Sequence, residues 1–154
     1  MVKVELCNAT AKLPTRGTEK SAGLDLWGVD KAGVKTGCIA KVPIYITIEL
    51  PERTYGRIAP RSRLASTGFF VNGGVVDKYY RGEVSIIFHN TAKEDFVIEA
   101  GRRIAQLVLE HVSHAECIEA AKVPKTTEGL RGFGNRGSFP VHGYPTDARN
   151  RKKD

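Results

Sequence analysis

The stretch from Val71 to Glu83, VNGGVVDKYYRGE, brings an acid, two tyrosines and an arginine within five positions of one another. A carboxylate such as Asp77, with an aromatic wall from Tyr80 and the cation of Arg81 beside it, suits a general base. That task needs a fixed group within hydrogen-bond reach of the proton it takes. Gly73 and Gly74 supply backbone freedom for a turn or for the close approach of a ligand, Val75 and Val76 have strand propensity, and Gly82 ends the run. The stretch therefore reads as a hairpin-like frame with Asp77 on a rigid strand. Taken alone it also reads as a surface hairpin with ordinary charges.

The rest of the chain must position this frame. VKVEL near the N-terminus alternates as a first strand does, and Pro14 to Gly23 break it. Val42, Ile44, Ile46, Ile48 and Leu50 fall at every second position, the period of a half-buried strand, with Pro43 marking an edge or a strand start and Pro51 the end. Tyr55 to Ala59 lead into Pro60-Arg61-Ser62-Arg63-Leu64-Ala65, a turn displaying polar side chains that can begin a short helix. Val84, Ile86 and Phe88 predict a strand after Gly82, Phe96 to Ile98 a short one, and Ile104 to Val112 a buried one. HAECIEAAK, residues 114–122, is the one stretch with helical character, and it lacks a clear cap. Many short strands with closely spaced turn signals predict an all-β sandwich or barrel.

With 154 residues, 41% of them apolar and 27% charged, the chain is one globular domain's worth. No run approaches the roughly 20 apolar residues of a membrane span, and the N-terminus lacks a signal peptide's apolar core, so a soluble intracellular protein, cytoplasmic or nuclear, is expected. Cys7, Cys38 and Cys117 are odd in number and widely spaced, which signals reduced thiols rather than a disulfide framework or a zinc site. The net charge of +7 favours an anionic partner. Part of that charge lies in Arg149, Arg151, Lys152 and Lys153, a basic tail that reads as solvated. The composition divides the chain into a β domain over 1–123 and a Gly-rich arm with its tail over 124–154. Glycine amides and nearby arginines in such an arm can wrap phosphates, and a disordered Gly-rich tail is the equal alternative.

Five segments follow one another in a telling order: AGLDL at 22–26, PRSRLA at 60–65, GGVVDKYYRG at 73–82, GRRIAQ at 101–106 and RGFGNRG at 131–137. Together they resemble the five ordered motifs of the homotrimeric dUTPase family. The resemblance implies a β-rich, jelly-roll-like barrel assembled as a homotrimer with shared active sites. It also implies hydrolysis of dUTP to dUMP and pyrophosphate with Mg²⁺ on the triphosphate. On that resemblance Asp77 is similar to the base that activates a water for in-line attack on the α-phosphorus. Tyr80 resembles the tyrosine packed under the deoxyribose, and the main chain around Gly74 and Val76 reads the uracil edge. Arg61 and Ser62 resemble the phosphate-contacting pair, with Gln106 as a further polar contact. Asp25 resembles the acid that holds a metal-bound water, and Phe133 the aromatic of a neighbouring subunit's arm that closes over the uracil.

The sequence departs from the family pattern at several of these places. Arg63 stands where glycine is usual, Arg102 and Tyr79 where acids are usual, Glu128 where an arginine is usual, and Asn135-Arg136 where Ser-Thr is usual. Arg131 and Arg136 can replace the lost cation and hydroxyls, and Arg102 and Glu128, both reversed in sign, are expected to meet when the arm closes. Such departures fit a fast-diverging lineage, such as a viral one. They also define the alternative to an active enzyme, a catalytically weakened dUTPase-like binding or signalling module. A basic nucleic-acid-binding barrel is a third reading, but no aromatic-rich RNA-binding signature accompanies the charge, so no specific nucleic acid is expected. His111 and His114 lack an acidic or thiol partner for a metal, and Trp27 is expected to pack.

Overall fold

The computed structural model describes residues 1–126. They fall into a compact unit, Met1–Ala115, and a second unit that begins at Glu116. The compact unit is an all-β, jelly-roll-like barrel. Its first larger sheet has the order β2 (Gly23–Trp27), β11 (Arg103–His111), β6 (Thr54–Pro60) and β8 (Val75–Val76). Its second has the order β4 (Ile39–Pro43), β9 (Ser85–Asn90) and β7 (Phe69–Asn72). Two ribbons complete it, β1 (Lys3–Leu6) on β5 (Ile46–Glu49) and β3 (Ala32–Val34) on β10 (Phe96–Ile98), and every pairing is antiparallel. The α-helix α1 (Ser62–Ala65) is the short one expected after Pro60-Arg61.

Alternation turns one face of each strand inward. On β9, Ile86, Phe88 and Asn90 are buried, while Ile87 is exposed. Phe69 stacks on Phe88 and on Phe96, with ring centroids 4.5 and 4.1 Å apart, which ties β7, β9 and β10 together at the centre of the core. Asn90 is fully buried and costs little, because its amide donates to the carbonyls of Val34 and Glu94 at 2.9 and 2.8 Å and its oxygen accepts from the Ala92 N–H.

Several expectations change in the folded chain. Residues 42–50 keep their period-two burial throughout, but they form two strands rather than one. β4 pairs with β9 and β5 pairs with β1, so the chain changes sheets between them. Tyr45 makes that corner in a left-handed conformation, φ 54°, with its hydroxyl donating to Asp30 at 2.7 Å. Pro43 lies on an edge strand, at its end rather than its start. Residues 114–122 are not helical, which accords with the missing cap. The stretch from Val71 to Glu83 is not a hairpin, since β7 pairs with β9 while β8 pairs with β6 in the other sheet. Gly73 and Gly74, with φ 65° and 86°, carry the chain across from one sheet to the other. No helix among the described residues is long and apolar enough to cross a membrane.

Candidate active site

Asp77 follows the last residue of β8, so it stands one step beyond the strand expected to carry it. The strand ends there because its partner β6 pairs only as far as Gly56↔Val76, after which the chain turns. The Tyr80 N–H closes that turn on the Asp77 carbonyl at 3.0 Å. Arg81 is not the cation beside the carboxylate that the sequence suggested. Its guanidinium instead donates to main-chain carbonyls of Lys78, Tyr80 and Ile48. Tyr80 folds back toward Gly82, where a Cβ would lie only 2.4 Å from the phenol oxygen, and its hydroxyl donates to the Glu83 carbonyl at 3.1 Å.

These residues border a cavity of about 240 Å³, with Gly74, Val76, Asp77 and Tyr80 in its wall, Lys41 and Ile87 contributed from the second sheet and Glu83 from the loop before β9. Gly74 brings the main chain close to β6. The Ile58 N–H donates to the Gly74 carbonyl at 2.7 Å, and a Cβ at Gly74 would meet the Ile58 carbonyl oxygen at 2.5 Å. Only glycine meets both that approach and the positive φ. The wall at Gly74 is main chain, and β8 stands at the edge of its sheet with no strand on its outer side among the described residues, a setting in which peptide groups can meet a flat polar ligand edge.

A second, larger depression of about 760 Å³ collects Asp25, Arg61, Ser62 and Gln106. The register of the first sheet explains the grouping, because Gln106 on β11 pairs with Asp25 on β2 and with Ala59 on β6, two residues before Arg61. Gln106 lies over Gly23, where a Cβ would be 2.5 Å from its side-chain oxygen, and its amide donates to the Pro60 carbonyl at 3.1 Å. The Asp25 carboxylate is held between Arg61 Nε at 3.5 Å and Arg103 Nη1 at 3.2 Å and is only 13% exposed. Arg61 also donates to the Arg103 carbonyl at 3.2 Å, which fixes the fork of the groove. Arg63 and Arg102 line the same groove. The lining therefore carries four arginines against the two acids Asp25 and Glu99, a balance suited to a polyanion.

Thus Asp77, Gly74, Val76 and Tyr80 come together in one depression and Asp25, Arg61, Ser62 and Gln106 in another, and the two share no lining residue. Arg131, Phe133 and Arg136 lie outside the described residues, as does Glu128, the expected partner of Arg102. Arg103 was not singled out from the sequence. Its signal was available in the strand register, since a residue paired opposite Trp27 on β2 is within reach of Asp25. Trp27 packs as expected, with Lys12 Nζ 4.9 Å and the Arg103 guanidinium 5.8 Å from its ring centroid. Cys7, Cys38 and Cys117 are free and exposed.

A family profile for dUTPase matches residues 9–137. A protein of Debaryomyces hansenii, deoxyuridine 5'-triphosphate nucleotidohydrolase, is 42% identical over 139 residues, which cover 88% of this chain and 87% of that one. The protein of the same name from Paramecium bursaria Chlorella virus 1 is 41% identical over 129 residues, covering 83% of this chain and 92% of that one. Among solved structures, the Staphylococcus bacteriophage 80alpha dUTPase with dUPNHPP superposes with a TM-score of 0.84 at 22% identity, covering 89% of this chain and 98% of the other. A mutant dUTPase from phage phi11 of S. aureus, whose structure details the coordination of a structural Mg(II) ion, gives 0.74 at 19% identity over 80% of this chain and 98% of that one. The structural likeness is one of fold.

Proposed function

We propose a shared-site mechanism for this chain, which belongs to the dUTPase family and is a dUTP diphosphatase, hydrolysing dUTP to dUMP and pyrophosphate. In this mechanism a homotrimer brings the Asp77 cavity of one copy against the Asp25–Arg61 groove of another, and Phe133 of a neighbouring arm closes over the uracil. The observation that carries it is the division of labour within one chain. The residues suited to a nucleoside and the residues suited to a triphosphate line separate depressions with no member in common. One chain alone would hold half of the substrate at each.

The peptide wall at Gly74 and Val76 reads the uracil edge, and Tyr80 packs under the deoxyribose and leaves no room for a 2′-hydroxyl. Arg61, Ser62 and Gln106 hold the phosphate chain, with Arg131 and Arg136 adding cations from the arm. Asp77 accepts a proton from a water as the water oxygen bonds to the α-phosphorus. The bond from that phosphorus to the bridging oxygen breaks, and pyrophosphate leaves with the electron pair. Most of the rate enhancement comes from alignment and from cations on the phosphate oxygens.

Among the described residues no group of three or more His, Cys, Asp or Glu is gathered that could hold a metal on protein ligands alone. Mg²⁺ does not need one, because it commonly keeps several waters and is held by one or two carboxylates together with substrate phosphates. Asp25, the acid on the β2 wall of the groove, suits that role through a metal-bound water, and the ion supplies charge neutralisation on the triphosphate.

Mixing inactive variants tests the sharing. Asp77→Asn and Arg61→Ala should each abolish most dUTP turnover alone, while subunit exchange between them should recover activity, because some mixed sites carry both intact residues. Failure to recover activity in mixtures shown by mass to have exchanged would refute shared sites. Intact protein should release pyrophosphate from dUTP far faster than from dTTP, dCTP or UTP.

A further inference from the structure

The turn that carries Asp77 and Tyr80 has few side-chain anchors of its own. It leaves β8 after Val76, is closed by the single N–H of Tyr80, and exposes Asp77, Tyr79 and Tyr80. What gathers it is Arg81. One nitrogen of its guanidinium, Nη1, lies 2.7 Å from the Lys78 carbonyl, 3.0 Å from that of Tyr80 and 3.5 Å from that of Ile48 on β5. Lys78 adds a second tether from the same turn, an ion pair with Glu52, which lies just after β5. The turn is thus fastened from behind to the β5 end of the barrel, while Asp77 and Tyr80 line the cavity. Arg81 does not line that cavity and has no ion pair among the described residues.

We infer that Arg81 is a positioning residue for substrate selection, holding the 77–80 turn so that Tyr80 meets the sugar and Asp77 the attacking water in one fixed geometry. The inference rests on the reading that this cavity takes the nucleoside end of dUTP. Gly82 serves the same end from the other side, since any side chain there would collide with the Tyr80 phenol. A cation in this place need not be arginine. All three contacts come from one nitrogen, so the point donor of a lysine, with three N–H groups, can take them over, whereas a bidentate role on phosphate could not pass to lysine.

The test is the ratio of kcat/KM for dUTP to that for UTP, a readout that does not depend on how much of a preparation is folded. Arg81→Ala should lower this ratio by about tenfold or more and lower kcat for dUTP, within the ~10²-fold that a misplacement of about 1 Å can cost. Arg81→Lys should restore most of the ratio. An unchanged ratio in Arg81→Ala with equal losses on both substrates would reduce Arg81 to a structural role, and a lysine variant as impaired as the alanine one would overturn the single-nitrogen clamp. Should the alanine variant not fold, Arg81→Met, which keeps the aliphatic stem, is read by the same two criteria. Tyr80→Ala, run in parallel, separates the levels. If it lowers the ratio while Arg81→Ala does not, only the clamp fails; if it leaves the ratio unchanged, the nucleoside reading of the cavity fails and the clamp falls with it.

Discussion

The two depressions of this barrel are built from different materials. Around Asp77 the fixed parts are main chain, with a glycine pair crossing between sheets, a peptide wall against Ile58 and an arginine spent on carbonyls. Around Asp25 the fixed parts are side chains, an acid gripped by two guanidiniums and an amide laid across a glycine. The first can recognise shape and hydrogen-bond pattern, because peptide groups have set directions and no net charge. The second can attract charge from a distance, but its long charged side chains are less fixed in direction and discriminate less by shape. A nucleotide presents both problems at once, a base to be told apart and a phosphate chain to be gripped.

The sharpest way to break this contrast is at the chemistry itself. Asp77→Asn should lower kcat by about 10²–10⁴-fold, the usual range for loss of a general base, with the thermal midpoint unchanged. A wild-type rate would remove Asp77 from its role. Gly74→Ala probes the peptide wall, where positive φ and the 2.5 Å approach to the Ile58 oxygen act together. It should cost about 1–3 kcal/mol of stability and raise KM for dUTP, measured by urea unfolding and initial rates. A neutral outcome would mean that the crossing relaxes freely. Changes to the other groove should be milder. Arg102→Asp or Arg63→Gly should raise KM only a few-fold at low salt, following the ~0–1 kcal/mol of exposed charges, and the difference should fade as salt is added. A salt-independent loss would show that these arginines are desolvated on binding.

The smallest effect lies toward the far end of β11, at residues that line neither depression. There the Tyr55 hydroxyl, and after it the Arg57 guanidinium, hold the Glu110 carboxyl below its ordinary value. A depressed folded-state value means that the contribution to stability is present above the unfolded value of about 4.3 and is lost as pH falls through the folded one. Glu110→Gln should therefore flatten the acid side of the stability profile without altering dUTP turnover at neutral pH. An unchanged acid limb would show the pair to be energetically silent.

Much of this was legible beforehand, and the reasons differ by residue. Ile44, Ile46 and Ile48 announced burial correctly because alternation reports which face is inward, yet it is blind to which sheet a strand joins. The corner at Tyr45 was therefore invisible, as no glycine marks it. Gly73-Gly74 signalled a turn, but a crossing between sheets and a hairpin ask for the same residues. Gln106 and Asp25 stood in separate motifs, and only the register of β11 between β2 and β6 brings them together. Arg81 was misread because sequence proximity to Asp77 says nothing about direction, and its guanidinium turns to the carbonyls behind the turn.

Gly74 has a consequence for how such a protein can change over generations. A wall made of peptide holds no side chain for mutation to exchange, so the hydrogen-bonding groups it presents are inherited with the fold and cannot be retuned one substitution at a time. The groove lined by Arg63 and Arg102 has no such constraint, because its charges sit on side chains that single substitutions exchange. Single replacements can therefore rewrite the electrostatics of the groove, whereas the peptide wall at Gly74 changes only if the backbone itself moves.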